Sequence, residues 1–152
     1  MTSVLSELSR RARLAETDRE LGFSLVNDSM ALAPFRQAAL WLADGGAWCL
    51  SGVVQVDANV PYVQWLNAVA RHMQAQPQQP VRTFTAQDLP AELAADWNDW
   101  WPEHAVWLSS TAKSVQGAGI FVRDVPWQTH ELTALQALSL IHILTLPTKR
   151  IV

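Results

Sequence analysis

The chain has 152 residues, with 11 basic against 14 acidic side chains, eight tryptophans and a single cysteine. That length supports one domain with a sizeable core. No basic run is present to displace counterions from a nucleic-acid backbone, and a lone Cys49 excludes an internal disulfide and any multi-cysteine metal centre. The opening stretch MTSVLSELSRRARLAETDRE carries charges where the apolar part of a signal peptide would lie, and no run before residue 138 reaches membrane-spanning length. A soluble, cytoplasmic domain is the expectation.

In chain order, SVLSELSRRARLA predicts a polar helix with Leu5, Leu8 and Ala12 along one side. TDRELGFSLVNDS opens with a capping box, Thr17 with Glu20, and places Leu21 and Leu25 on one face before Asn27-Asp28 ends it. RQAALWLADGGAWCLSGVVQV predicts a hairpin: two apolar runs flank Asp44-Gly45-Gly46, whose glycines supply the positive φ of a tight reversal. DANVPYVQWLNAVARHMQ returns to helical period, with Asn59 as cap, Pro61 in the first turn, and Val63, Leu66, Ala70 and Met73 on one face. AQPQQPVR lacks periodicity and predicts an exposed connection.

DLPAELAADWNDWW predicts a short helix dense in tryptophan. HAVWLSS and GAGIFVRD read as strands, with Ile120 and Val122 alternating against Phe121 and Arg123. PWQTHELTALQA predicts a final helix starting near Gln128 or Thr129, with Glu131 placed favourably against the N-terminal dipole. Helices, hairpin, helices, hairpin, helix: this order predicts an α+β fold, an antiparallel sheet packed by helices. Trp41, Leu50, Val53, Leu66, Trp107 and Ile120 are the expected core.

The last fifteen residues, LSLIHILTLPTKRIV, hold no tryptophan and no acidic residue. LSLIHI resembles a translation of the transposase end sequence used in shotgun sequencing libraries, and LTLPT resembles the adjoining primer site in the same frame. The reading therefore divides the chain into a domain at residues 1–137 and a non-native, adaptor-derived tail at 138–152, which is set aside. Without Lys149 and Arg150 the 11 basic residues become 9 against 14 acidic ones, a charge of about −5. His142 then carries no functional information. Leu140, Ile141 and Leu144 are expected to be exposed on an extension of the final helix that Pro147 stops.

NDSMALAPFRQAALWLADGGAWCLSGVVQVDANVPYVQWL, WWPEHAVWL and VRDVPWQTHELTALQA together resemble a GAF-type domain. More narrowly, Arg36-Gln37-Ala38 before the first strand and Pro126-Trp127 before the last helix resemble the cytoplasmic N-terminal region of haemolysin-D-type (HlyD) membrane-fusion proteins. These are periplasmic adaptor subunits of bacterial efflux and secretion systems. The resemblance covers about residues 15–137. It implies a GAF-like sheet with the terminal helices packed together, on the cytoplasmic side of the inner membrane. It also implies a full-length protein that is membrane-anchored, with transporter and outer-membrane partners.

A GAF domain holds small ligands in a mostly apolar pocket between sheet and helices. Arg36, Trp41, Cys49 and Trp107 are the candidate ligand residues on this resemblance. Arg36 could anchor an anion, although an Arg before a strand more often forms a surface ion pair. Cys49 is more often a small buried hydrophobe than a site of attachment, and it has no neighbouring base. Trp97, Trp100 and Trp101 share a helical face and are the candidate partner-binding residues, with packing over the sheet the commoner outcome. His72, His104 and His130 lack ligand spacing, and Glu103-His104 are adjacent strand residues on opposite faces. No metal, cofactor, catalytic residue or nucleic-acid partner is expected.

The leading expectation is thus a non-catalytic sensory, regulatory or assembly domain of a secretion adaptor. A dimerisation module that pairs its terminal helices is one alternative, implying a homo-oligomer. A small-molecule-binding GAF domain of a signalling protein is another. An enzyme ranks last, because no titratable groups converge in the sequence. Deletion of residues 138–152 is expected to leave stability unchanged or to improve solubility, since an exposed apolar tail promotes association. A clear fall in melting temperature by calorimetry would instead tie the tail to the core.

Overall fold

The computed structural model describes residues 34–51, 56–77, 79–109 and 117–145, with side chains as far as Ala137. The two helices expected before residue 34, Val53, and the side chains of Leu140, Ile141 and Leu144 lie outside the described residues, as do Pro147 and all that follows it.

The expected hairpin forms from β1 (Gln37–Leu42) and β2 (Gly46–Leu50). Its reversal closes with the Gly45 N–H on the Leu42 carbonyl at 3.3 Å, and Gly46 takes φ 78°, a left-handed angle that a Cβ disfavours. Pairing slips by one residue: Leu40 opposes Cys49, but Trp41 opposes Ala47, so Trp48 is the extra residue of a bulge. The Ala47 N–H donates instead to Asn67 Oδ1 at 2.8 Å, which pins the bulge to the following helix.

That helix, α1 (Pro61–Gln74), starts with Pro61 in its first turn as expected, where the missing N–H costs nothing. Its cap differs. Val60 is the capping residue and offers no side-chain bond, while the Asn59 N–H donates to Asp57 Oδ1 at 2.9 Å. The buried stripe is wider than the expected four residues, because Trp65 and Val69 join Val63, Leu66, Ala70 and Met73. Each fully buried aliphatic side chain there contributes about 1.5–3 kcal/mol.

The Pro/Gln connection leads into β3 (Val81–Phe84), a strand absent from the expected order. It is four residues long and forms the sheet edge, so its Arg and Thr are tolerated. Thr85 then caps a 3₁₀ turn at Ala86–Asp88 through a full capping box. The tryptophan-rich segment is two single-turn helices rather than one, α2 (Ala91–Ala94) and α3 (Trp97–Trp100). Strands β4 (His104–Ser109) and β5 (Gly117–Arg123) follow, and α4 (Thr129–Thr145) closes the described chain.

The five strands stand in the order β2-β1-β5-β4-β3, all antiparallel. Alternation along them builds two cores. Ala39, Trp41, Trp107, Ala118, Ile120 and Val122 face α1 and the tryptophan helices. Leu40, Cys49, Val106, Leu108 and Phe121 face the side of α4, where Leu135 packs. Trp41, Leu50, Leu66, Trp107 and Ile120 are all buried, as expected. The architecture is the α+β fold read from the sequence, with one more strand.

Gly46→Ala is expected to destabilise the domain by about 1–2 kcal/mol, the cost of a left-handed residue with a Cβ. Gly45→Ala, where a Cβ would meet nothing, is expected to be close to neutral. Urea unfolding of both variants measures the contrast.

Candidate functional site

The face of the sheet beneath α1 is walled by aromatic rings. Trp65, Trp97 and Trp101 meet edge to face, with centroids 4.7–6.3 Å apart, and Phe84 packs on Trp97 and Trp101. Such geometry aligns ring edges with ring faces, and each pair adds about 0.5–1.5 kcal/mol beyond burial. On the sheet itself, Trp41 and Trp107 lie 6.0 Å apart and tilted by 48°.

A buried indole needs an acceptor for its one N–H, and most of these rings have one. Trp65 donates to the Leu93 carbonyl at 3.0 Å and Trp97 to the Pro102 carbonyl at 2.8 Å. Trp101 donates to Tyr62 Oη at 2.9 Å; that hydroxyl donates to Gln37 Oε1 at 3.2 Å, and Gln37 Nε2 donates to the Trp100 carbonyl at 3.1 Å. This relay ties the start of β1 to α1 and α3. Burial pushes the Tyr62 phenol up, partly offset by the Trp101 bond, so it stays protonated and able to donate.

Trp41 is the exception on this face. It is 2 % exposed, and its Nε1–H has no hydrogen-bond partner. An unpaired buried donor costs about 1–3 kcal/mol. Its cross-strand register partners are Ala47 and Ala118, neither of which carries a hydrogen-bond acceptor in its side chain. Gly117, one residue before Ala118, is needed here too: a Cβ on it would lie 2.4 Å from the Trp41 carbonyl oxygen.

The other candidates fall elsewhere. Cys49 lies on the opposite face of the sheet, in the core under α4, and burial pushes its thiol up to about 11. A thiol so raised is a poor nucleophile. Arg36 pairs with Asp124 at 3.0 Å, both 64 % exposed, which makes it a surface ion pair and not an anion anchor aimed inward. Trp97 and Trp101 are core residues, so of the three candidate partner-binding tryptophans only Trp100 is partly accessible, against Tyr62. Glu103 and His104 approach to 3.9 Å, with Glu103 largely exposed. Among the described residues no three His, Cys, Asp or Glu side chains gather as a metal site would require, and no helix is long and apolar enough to cross a membrane.

Sequence reasoning missed the strongest polar node. Arg123 and Glu131 are both buried and pair through two parallel N–H···O contacts, one of them at 2.6 Å. The guanidinium also donates to the carbonyls of Val125 at 3.1 Å, Pro34 at 2.9 Å and Pro126 at 2.8 Å, so all five of its N–H groups are used. The Trp127 ring covers it at 4.0 Å, and the Glu131 carboxylate accepts the Gln128 N–H at 3.1 Å, the reach-back of a capping box. One side chain thus joins the entry to β1, the exit of β5 and the first turn of α4. The only sequence signal was acid at the third position of a helix.

No protein-family model and no curated protein matches the chain. Solved structures do. The chromophore-binding domain of a bacteriophytochrome from R. palustris aligns over 99 % of this chain and 62 % of its own, at TM-score 0.66 and 10 % identity. The GAF domain of a protein described as a sensor histidine kinase from Pseudomonas syringae pv. tomato aligns over 98 % and 86 %, at 0.60 and 9 %. An N-acylhomoserine-lactone-dependent LuxR-family transcription factor from Burkholderia cenocepacia aligns over 95 % and 91 %, at 0.62 and 16 %. The chain spans between 36 % and 62 % of the phytochrome chains. The fold is GAF-like.

The Arg123 hydrogen bonds hold the Glu131 carboxyl below its usual range, opposed by burial and helped by the Gln128 N–H. A depressed folded-state value stabilises the fold above the unfolded carboxylate range, near 4.3, and that contribution is lost as pH falls through the folded value. Glu131→Ala is therefore expected to cost about 3–5 kcal/mol at pH 7, because it strands a buried cation. Urea titrations at pH 7 and pH 3 should show the gap between wild type and variant narrowing in acid.

Proposed function

We propose that this domain is a non-catalytic sensory module that binds a small molecule between α1 and the sheet, at Trp41, and signals through α4. The observation that carries the reading is the buried Trp41 N–H without an acceptor, on a face of the sheet where Trp65, Trp97 and Trp101 all have one; the other unpaired indole N–H, that of Trp127, lies on the α4 side beside Arg123. Two of the aligned proteins are described as a chromophore-binding domain and as an N-acylhomoserine-lactone-dependent transcription factor. That likeness supports the same use of the fold here. The high, buried thiol of Cys49 supports reversible binding without covalent catalysis.

Transmission would follow the strands. Trp41 pairs with Ala118 on β5, and β5 ends in Arg123, which holds the first turn of α4. A ligand that prefers one placement of Trp41 would bias the placement of α4, as any ligand with unequal affinity for two states must. The narrower reading, a cytoplasmic module of a haemolysin-D-type secretion adaptor, rests on its residue resemblance alone, and a ligand-binding signalling module is the better supported of the two. The separation of residues 138–152 as adaptor-derived likewise rests on their sequence; α4 runs through this junction to Thr145 without a break.

Trp41 and Trp97 are equally buried, at 2 % exposure, but only Trp97 has an acceptor. Trp97→Phe is expected to destabilise the protein by about 1–3 kcal/mol more than Trp41→Phe, because it leaves the Pro102 carbonyl unpaired. A thermal-shift screen of small-molecule fragments tests the function directly. Compounds are expected to raise the melting temperature of wild type and not of Trp41→Phe. A screen that shifts both proteins equally, or neither, overturns the reading.

A further inference from the structure

We infer that Asp44-Gly45, at the tip of the β1–β2 hairpin, is a site of spontaneous covalent modification, where the backbone rearranges to a β-linked isoaspartyl bond and loosens the hairpin. The reaction needs only these two residues and water, so it stands apart from the ligand-binding reading. The Gly45 nitrogen attacks Asp44 Cγ; the N–Cγ bond forms, and the carboxyl hydroxyl leaves as water with the amide proton. Water then adds to the Asp44 α-carbonyl of the resulting five-membered imide, and the bond from that carbon to the Gly45 nitrogen breaks. The chain now runs through Asp44 Cβ and Cγ, the α-carboxylate is free, and the mass is unchanged.

A tethered neighbour attacking within one ring has a large rate advantage over the same groups apart. The residue after the aspartate decides how much of it is realised, because a Cβ there crowds the attacking nitrogen and narrows its backbone freedom. Asp44 is followed by glycine, and no other Asp or Asn in the sequence is. Both residues are exposed, and a Cβ built on Gly45 would meet nothing within 4 Å. The carboxylates of Asp57, Asp88 and Asp124 are each held by a hydrogen bond, whereas that of Asp44 accepts none among the described residues. The Gly45 N–H reaches the Leu42 carbonyl at 3.3 Å, longer than the usual range of about 2.7–3.2 Å, so little holds the nitrogen back.

The β-linkage adds one carbon to a reversal whose far side is fixed. Gly46 takes φ 78° there, and the Ala47 N–H is bound to Asn67 on α1. The added length must therefore be absorbed between Leu42 and Gly46, where it opens the turn.

Full-length protein is aged at pH 6 and 37 °C in ¹⁸O-water, digested, and mapped by fragmentation that distinguishes the two linkages. Isoaspartate carrying the heavy oxygen is expected at Asp44 and not at Asp57, Asp88 or Asp124. Gly45→Ala, which the open turn tolerates, is expected to slow its appearance about tenfold. The β-linked protein, separated by ion exchange, is expected to melt below the fresh protein. An Asp44 peptide that stays α-linked, that rearranges only in urea-unfolded protein, or that rearranges equally fast in Gly45→Ala overturns the site. A β-linked protein that melts as the fresh protein does overturns the effect on the hairpin.

Discussion

Arg123 is the constraint on which the rest of this domain depends. A guanidinium taken out of water must have every donor met, and here five acceptors from three chain segments meet it. Pro34 precedes β1, Val125 and Pro126 follow β5, and Glu131 belongs to α4. Because the geometry of the fork is rigid, those segments are positioned relative to one another and not merely brought near. The ion pair contributes less through net stability, since desolvation offsets much of its attraction, than through the single arrangement it permits.

The two faces of the sheet carry different duties as a result. The α4 face is fixed by charge and by aliphatic packing, with Phe35 edge-on to Phe121 at 5.2 Å. The α1 face is built from rings whose polar atoms are satisfied one by one through carbonyls and the Tyr62–Gln37 relay. Strands β1 and β5 are shared by both faces. Trp41 and Leu40, adjacent on β1, thus belong to opposite cores, and the β1–β5 pair is the wall between them.

Much of the fold was legible because it rests on local signals. Asp44-Gly45-Gly46 marks a reversal whatever surrounds it, and the period of Val63, Leu66, Ala70 and Met73 marks a helix. β3 was not legible: four residues with an Arg and a Thr, just after Pro80, carry too little alternation, and only the neighbouring β4 makes them a strand. The break between α2 and α3 falls in good helix-forming sequence and is set by where the tryptophan rings must pack. At the site, Trp41 and Trp107 were legible as residues, but the unpaired N–H was not, because it is a property of what surrounds the ring. Arg123 and Glu131 are eight positions apart across a turn, and no periodicity links a strand end to a helix start.

The extra residue in β2 settles what stands beside Trp41. Side chains of a regular strand alternate faces, so an unslipped ladder that pairs Leu40 with Cys49 would place Trp48 opposite Trp41. The slip inverts the parity of the hairpin from that point to its tip. It brings the methyl group of Ala47 under the ring and packs Trp48 against the α4 face. A bulge of one residue thus sets a methyl in place of an indole opposite Trp41, at a single location in the sheet.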